Sequence, residues 1–269
     1  MKSLPTLCIG FLAAAWLPLI EAQTEVATAN FPSANEILEP ILQRQGSSGT
    51  KLRAKIESTL ADGSKNILQV SIQTRNDSVV SQTLVLVLYP KERKGEAVSV
   101  TRSKNGRDQS RLAGFTFRPP NEVKQLGKGI VSEPLFGTSL SLEDVVESFW
   151  TWPYQRVVEQ RNFEGEPAWI LESRESSPKG LPVVRSIISV DKKIPLLIER
   201  FEGKGELVSK ISFDRVVRRD GNWVPTSYLI ELPVAKESVR ITFSRGERDL
   251  VLDPQVFRPE GIRLLVGEE

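Results

Sequence analysis

Histidine is absent from this chain of 269 residues, and cysteine occurs once, as Cys8 close to the N-terminus. Without histidine the chain cannot build a Ser-His-Asp or Cys-His nucleophilic site, nor a zinc site with a histidine ligand. Once a leader segment containing Cys8 is removed, thiolate chemistry and disulfides are excluded as well. We therefore expect no catalytic residue, no metal site and no cofactor, and we predict that the protein is not an enzyme.

Carboxylate catalysis is the enzymatic route that these absences leave open. Two-carboxylate hydrolysis needs a pair of Asp or Glu residues at a suitable separation. Glu143 and Asp144 are neighbours, but they stand at a predicted helix start, where acidic residues are favoured by capping and by the helix dipole. Their context nominates no catalytic pair, so a cavity-bearing enzyme ranks behind the binding functions considered below.

A strong charge of either sign is also lacking. Lys and Arg number 36 and Asp and Glu number 34, which leaves a net charge of +2. A balance this close to neutral gives no basis for nucleic-acid binding. We predict that nucleic acid is not a partner.

The N-terminus has the layout of a secretory signal peptide. Lys2 precedes an apolar stretch over residues 4–20, which Glu21-Ala22-Gln23 ends. A membrane-spanning helix needs about 20 apolar residues, whereas this stretch is slightly shorter and contains two prolines. We expect a signal peptide over residues 1–22 cleaved near Ala22, a linker over 23–33 and a single periplasmic domain over 34–269. An uncleaved membrane anchor is the alternative.

Two helices are predicted from capping signatures. Ser33 precedes Glu36 by three positions, and Ser141 precedes Asp144 in the same way, which is the pattern of a capping box. We expect the second helix to run over 141–150. The apolar residues that follow the two caps at helical spacing include Ile37, Leu38, Ile41, Leu42, Val145, Val146, Phe149 and Trp150.

Most of the remaining chain alternates between apolar and polar residues, as Leu52, Ala54 and Ile56 do. About eleven such strands, joined by Asp-Gly, Asn-Gly and Glu-Gly turns, predict an antiparallel meander. A sheet of that size twists strongly, and amphipathic helices laid on its concave side would bury that face. The predicted fold class is mainly β, with a few helices covering the concave face.

Four segments resemble the outer-membrane lipoprotein-sorting superfamily, to which the carrier LolA and the receptor LolB belong. They are residues 135–144, 190–210, 220–225 and 253–257. The similarity is greatest to a LolA-like branch without an assigned function. The resemblance implies an open antiparallel β-barrel with a helical lid over an apolar cavity, no catalytic residues, and the acyl chains of lipids or lipoproteins as cargo.

The function expected from this resemblance is a monomeric periplasmic binding or carrier protein for lipid or lipoprotein acyl chains. An inner-membrane exporter is the expected membrane partner. A sensor or regulatory binding module of the envelope is the alternative, because one fold supports different functions. We place Ile37, Ile41, Val145 and Phe149 on the lid of the cavity, and Phe115, Phe117, Leu197, Ile211, Phe213 and Tyr228 on its wall.

Overall fold

A computed structural model describes residues 31–45, 49–104, 112–127, 134–179, 181–219 and 221–267. The predicted signal peptide, its cleavage site near Ala22 and most of the linker lie outside the described residues. None of the helices described is both long enough and apolar enough to cross a membrane.

The described residues form one antiparallel sheet of thirteen strands. In chain order the strands are β1 (Gly49–Thr59), β2 (Lys65–Asn76), β3 (Val80–Tyr89), β4 (Ala97–Ser103), β5 (Leu112–Arg118), β6 (Glu122–Gln125), β7 (Tyr154–Phe163), β8 (Glu166–Arg174), β9 (Val183–Ser189), β10 (Pro195–Glu202), β11 (Glu206–Arg219), β12 (Asn222–Leu232) and β13 (Glu237–Arg248).

The strand order is β6-β5-β4-β3-β2-β1-β13-β12-β11-β10-β9-β8-β7. Consecutive strands are neighbours throughout, except that β1 pairs with β13 and so joins the two halves of the meander. The sheet is open, with β6 and β7 at its two edges, and the predicted fold class is confirmed. The strand number exceeds the predicted one partly because β6, which is only four residues long, forms a further strand at the edge of the sheet.

In the described residues three α-helices accompany the sheet: α1 (Ala34–Gln45), α2 (Leu142–Val146) and α3 (Pro259–Gly267). Both capping boxes are confirmed. The Ser33 amide donates to the Glu36 carboxylate at 2.6 Å, and the Glu36 amide donates to the Ser33 hydroxyl at 3.3 Å. At α2, Ser141 and Asp144 make the same reciprocal pair.

The prediction of a single helix over residues 141–150 is wrong. The segment is divided at Glu147, whose left-handed backbone (φ 46°) ends α2 and starts a 3₁₀ turn at Ser148–Thr151. A residue with a Cβ rarely adopts this conformation, and its occurrence indicates that the surroundings hold it in place. The division turns Phe149 and Trp150 into the core, where they are 3% and 2% exposed.

The two faces of the sheet are buried by different elements. The concave face packs against α1, α2 and the 3₁₀ turn and forms the main core, which includes Ile56, Val70 and Ile230. On the convex face, β3–β5 are covered by α3 and the short 3₁₀ turn Pro254–Phe257, which contribute Ile262 and Phe257. The concave side is therefore the side on which helices and sheet can enclose a cavity.

Candidate functional site

A cavity of about 450 Å³ opens on the concave face of the sheet. This volume lies within the range of small-molecule pockets, which is roughly 300–1,000 Å³. The lining comes from α1, from strands β1 and β10–β13, and from the α2 segment, which is α2 together with the 3₁₀ turn that follows it. The lining residues are Ile41, Leu52, Glu147, Trp150, Ile194, Pro195, Phe213, Arg219, Asn222, Trp223, Val224, Pro225, Thr226, Tyr228, Phe243, Ser244, Gly246 and Arg248.

Its wall is formed by a row of three aromatic side chains on adjacent strands, Phe213 on β11, Tyr228 on β12 and Phe243 on β13. The ring centroids of Phe213 and Tyr228 are 5.6 Å apart, and those of Tyr228 and Phe243 are 5.5 Å apart. Both distances are typical of tilted aromatic contacts. The three rings form a continuous apolar surface that is only partly buried, because it faces the cavity.

The helical segment covers this wall. Ile41 comes from α1, and Glu147 and Trp150 come from the break after α2. The indole Nε1 of Trp150 donates to the Glu147 carboxylate at 3.0 Å. The left-handed backbone of Glu147 thus places an acid and an aromatic ring together at the boundary between core and cavity.

Tyr228 is the titratable residue of the aromatic row. Burial is the main cause that raises the pKa of its phenol, and the nearby carboxylates of Glu147 and Asp144 raise it further. The phenol therefore stays neutral throughout the physiological range. It presents an uncharged hydroxyl beside the apolar rings.

The acidic residues of α2 lie on its buried side. The Ser148 hydroxyl donates to the Glu143 carboxylate at 2.7 Å, and the Phe149 amide donates to it at 3.3 Å. Burial raises the pKa of Glu143 to about 7, although the Ser148 hydrogen bond and the charge of Arg200 act to lower it. The Arg102 guanidinium on β4 also lies within electrostatic range of Glu143 and Glu147.

The predicted site residues separate into three groups. Those that line the cavity are Ile41, Phe213 and Tyr228. Those that belong to the same core cluster without lining the cavity are Ile37, Val145, Phe149 and Ile211. Those that lie in other clusters are Phe115 and Phe117, packed with α3 on the convex face, and Leu197, packed with Ala168 and Ile187.

One physical reason explains why Phe115, Phe117 and Leu197 do not line the cavity. Side chains alternate between the two faces of a strand, and sequence alone does not show which parity is concave. In β4 and β5, Ala97 pairs with Phe117 and Ser99 pairs with Phe115, and the Ser99 hydroxyl donates to the carbonyl of Phe257 at 2.8 Å. Phe115 and Phe117 consequently belong to the convex face and pack against the C-terminal segment.

The lining residues that sequence reasoning missed include Phe243, Trp223, Arg219 and Arg248. Phe243 continues the alternation of Val239 and Ile241, and this pattern could have placed it beside Phe213 and Tyr228. The two arginines end their strands, and the pattern does not distinguish them from arginines that point to solvent. Their common position depends on strand order.

A protein-family model described as "Uncharacterized protein"-like matches residues 80–263, which is more than half of the chain. The chain belongs to this family. None of the curated proteins matches it significantly.

Solved structures share its fold. A DUF1329 family protein from Desulfovibrio piger is 17% identical with a TM-score of 0.75, and the match covers 85% of this chain and 97% of that one. A putative outer membrane lipoprotein-sorting protein domain from Vibrio parahaemolyticus is 15% identical with a TM-score of 0.71, covering 86% and 99%. A LolA superfamily protein from Nitrosomonas europaea is 16% identical with a TM-score of 0.64, covering 84% and 98%. The LolA-like fold is thereby confirmed.

Proposed function

We propose that this LolA-like protein binds an acyl chain of a lipid or lipoprotein in its concave cavity and carries it through the periplasm. The observation that carries the proposal is the row of Phe213, Tyr228 and Phe243, which remains open to a cavity of about 450 Å³. An apolar surface inside a globular protein is normally filled by the protein's own side chains. Here it is available to a ligand.

The energetics agree with a reversible carrier. Each buried CH₂ group contributes about 0.8 kcal/mol, so a ~16-carbon chain gains on the order of 12 kcal/mol if all of it leaves water. Lost translational and rotational freedom offsets about 4–15 kcal/mol of that gain. The net gain is therefore at most about 8 kcal/mol, which corresponds to micromolar binding and permits both loading and release.

The remaining parts of the proposal concern the cellular setting. A domain over residues 34–269, exported by a signal peptide that is cleaved near Ala22, would act in the periplasm as a monomer. It would receive cargo from, or deliver it to, an inner-membrane exporter. The sensor alternative remains a prediction, as does the absence of enzymatic activity.

The proposal is tested with an uncharged fluorescent probe, N-phenyl-1-naphthylamine, titrated into the wild type and into Phe213→Asp. The substitution places a carboxylate on the aromatic row, and an unpaired charge in an apolar site costs several kcal/mol. We expect probe binding to the wild type and at least about a tenfold loss in the variant.

Phe201→Asp is the matched control. Phe201 is a half-buried phenylalanine on β10 whose ring lies under the Arg185 guanidinium at 5.4 Å, and it does not line the cavity. Circular dichroism verifies that both variants are folded. Equal probe binding by wild type, Phe213→Asp and Phe201→Asp would refute the cavity as the site. Native mass spectrometry of the purified wild type adds an independent readout, because a co-purified lipid supports the proposal directly.

A further inference from the structure

Two arginines stand at one edge of the cavity. Arg219 is the last residue of β11 and Arg248 the last residue of β13, and both are exposed and line the cavity. Because neighbouring strands run antiparallel, the last residues of β11, the first residues of β12 and the last residues of β13 lie side by side. The two guanidinium groups therefore mark one mouth of the cavity, although they are 29 residues apart in sequence.

Among the described residues, the guanidinium groups of Arg219 and Arg248 have no hydrogen-bond or ion-pair partner. Other arginines on these strands do have partners: Arg240 pairs with Asp214, and Arg218 donates to the carbonyl of Gly221 at 3.4 Å. The mouth thus presents two positive charges whose hydrogen-bonding capacity is unused.

The acid that lines the cavity, Glu147, has partners other than these two arginines. Glu147 accepts a hydrogen bond from Trp150 and lies within electrostatic range of Arg102 on β4. At the mouth itself, Glu247 and its partner Lys51 stand on the opposite face of the sheet, since side chains alternate along β13. The cavity is positive at its mouth and apolar further in.

The apolar part lies along the same strands as the arginines. Phe243 precedes Arg248 by five residues on β13, a separation of about 17 Å for an extended strand. A chain that starts at the aromatic row and runs along β13 past Gly246 would consequently have its end near the two guanidinium groups. Arginine binds carboxylate and phosphate oxygens through paired N–H donors.

We infer that the cavity selects amphiphiles with an anionic head group, a carboxylate or a phosphate, which Arg219 and Arg248 bind at the mouth. The acyl chain lies on the row of Phe213, Tyr228 and Phe243. This inference rests on the proposed function and adds the charge class of the ligand to it. A neutral amphiphile of the same length fills the apolar part alone and binds more weakly.

The test measures how tightly tetradecanoate, tetradecanoyl lysophosphatidate and 1-tetradecanol bind to the full protein. Binding is detected by the fluorescence of Trp150 and Trp223, which line the cavity. We expect at least one of the two anions to bind about tenfold or more tightly than the alcohol, as for hydrogen bonds to charged groups. The tighter of the two anions identifies the head group. Raising the salt from about 0.05 M to about 0.5 M should reduce the preference, because both arginines are exposed.

Arg219→Gln/Arg248→Gln should remove the preference and leave the affinity for 1-tetradecanol within about twofold. Arg218→Gln is the control, because Arg218 is adjacent and exposed but does not line the cavity. If the wild type binds all three compounds equally at low salt, the head-group inference is wrong and the proposed function stands. If none of the three binds, the proposed function itself fails. The wild-type comparison decides the question even if the double variant does not fold.

Discussion

Two pairs of apolar side chains, each at alternate positions of a strand, have different surroundings in this protein. Phe115 and Phe117 on β5 are 9% and 2% exposed and pack against α3. Ile211 and Phe213 on β11 lie on the concave face, where Ile211 is 5% exposed and Phe213 lines the cavity. In sequence, the segments Phe115-Thr116-Phe117 and Ile211-Ser212-Phe213 predict the same half-buried strand.

The difference lies in what covers each pair. The C-terminal segment closes over β3–β5 and fills the convex surface with its own side chains, including Phe257 and Ile262. On β11–β13 the helical cover approaches from α1 and the α2 segment and leaves a cavity in between. Burial against the chain's own residues stabilises the fold, whereas in the proposed function a ligand completes the burial at the cavity.

The largest expected effect separates these two roles. Phe117→Ala should lower the free energy of unfolding by about 3–5 kcal/mol, because it removes a fully buried aromatic ring from a packed cluster. Binding of N-phenyl-1-naphthylamine by the folded variant should be unchanged. Urea denaturation and probe titration measure the two quantities. A loss of probe affinity with little loss of stability would reverse the assignment of the two faces.

The next effect concerns the acid of α2. The pKa of Glu143 is raised from 4.5 to about 7, mainly by burial, so the folded state holds this proton more tightly than the unfolded state. Stability from this group is therefore full below the lower value and declines as pH rises to the higher one, by about 2–3 kcal/mol between pH 5 and pH 8.

Glu143→Gln should remove that decline, since an amide oxygen can still accept the Ser148 hydrogen bond. Urea denaturation of both proteins at the two pH values gives the difference. Asp144, Arg102 and Arg200 are the charged groups near Glu143 and are present in both proteins. Glu122→Gln is the control, because the side chain of Glu122 is 67% exposed. Parallel pH profiles for wild type and Glu143→Gln would contradict the prediction.

A smaller effect is expected at the start of α2. Ser141→Ala removes the hydroxyl that accepts from the Asp144 amide at 3.2 Å, and loss of such a cap typically costs about 1 kcal/mol. Ser141→Thr keeps the hydroxyl and should restore most of that stability. Thermal denaturation compares the three proteins; equal stability of all of them would show that the cap does not hold the segment that covers the cavity.

The smallest effect on stability is expected in the cavity wall. Phe213→Ala should cost about 1 kcal/mol or less, because its ring is only partly buried in the absence of ligand. Its effect on probe affinity should be larger than its effect on stability, which is the opposite of the Phe117→Ala result. A stability loss equal to that of Phe117→Ala would show that the aromatic row is ordinary core.

Several features follow from local sequence. The capping boxes at Ser33 and Ser141 form as predicted, because capping hydrogen bonds join residues three positions apart. The alternation in β1, β2 and β13 is also a local signal. It predicts strands because neighbouring side chains on one strand face opposite sides of the sheet. The meander follows from short turns, which bring consecutive strands together.

Other features depend on contacts between distant segments. The placement of Phe115, Phe117 and Leu197 outside the cavity depends on which elements cover each face, and α3 reaches Phe117 from the other end of the chain. The break at Glu147 depends on the packing of Phe149 and Trp150 in the core, which overrides the helical pattern of residues 141–150. The position of Arg219 and Arg248 at one mouth of the cavity depends on strand order. The sequence by itself determined most of the strands, the starts of α1 and α2 and the fold class, because these arise from neighbouring residues. The tertiary structure decided which face encloses a cavity, because that depends on what the chain leaves uncovered.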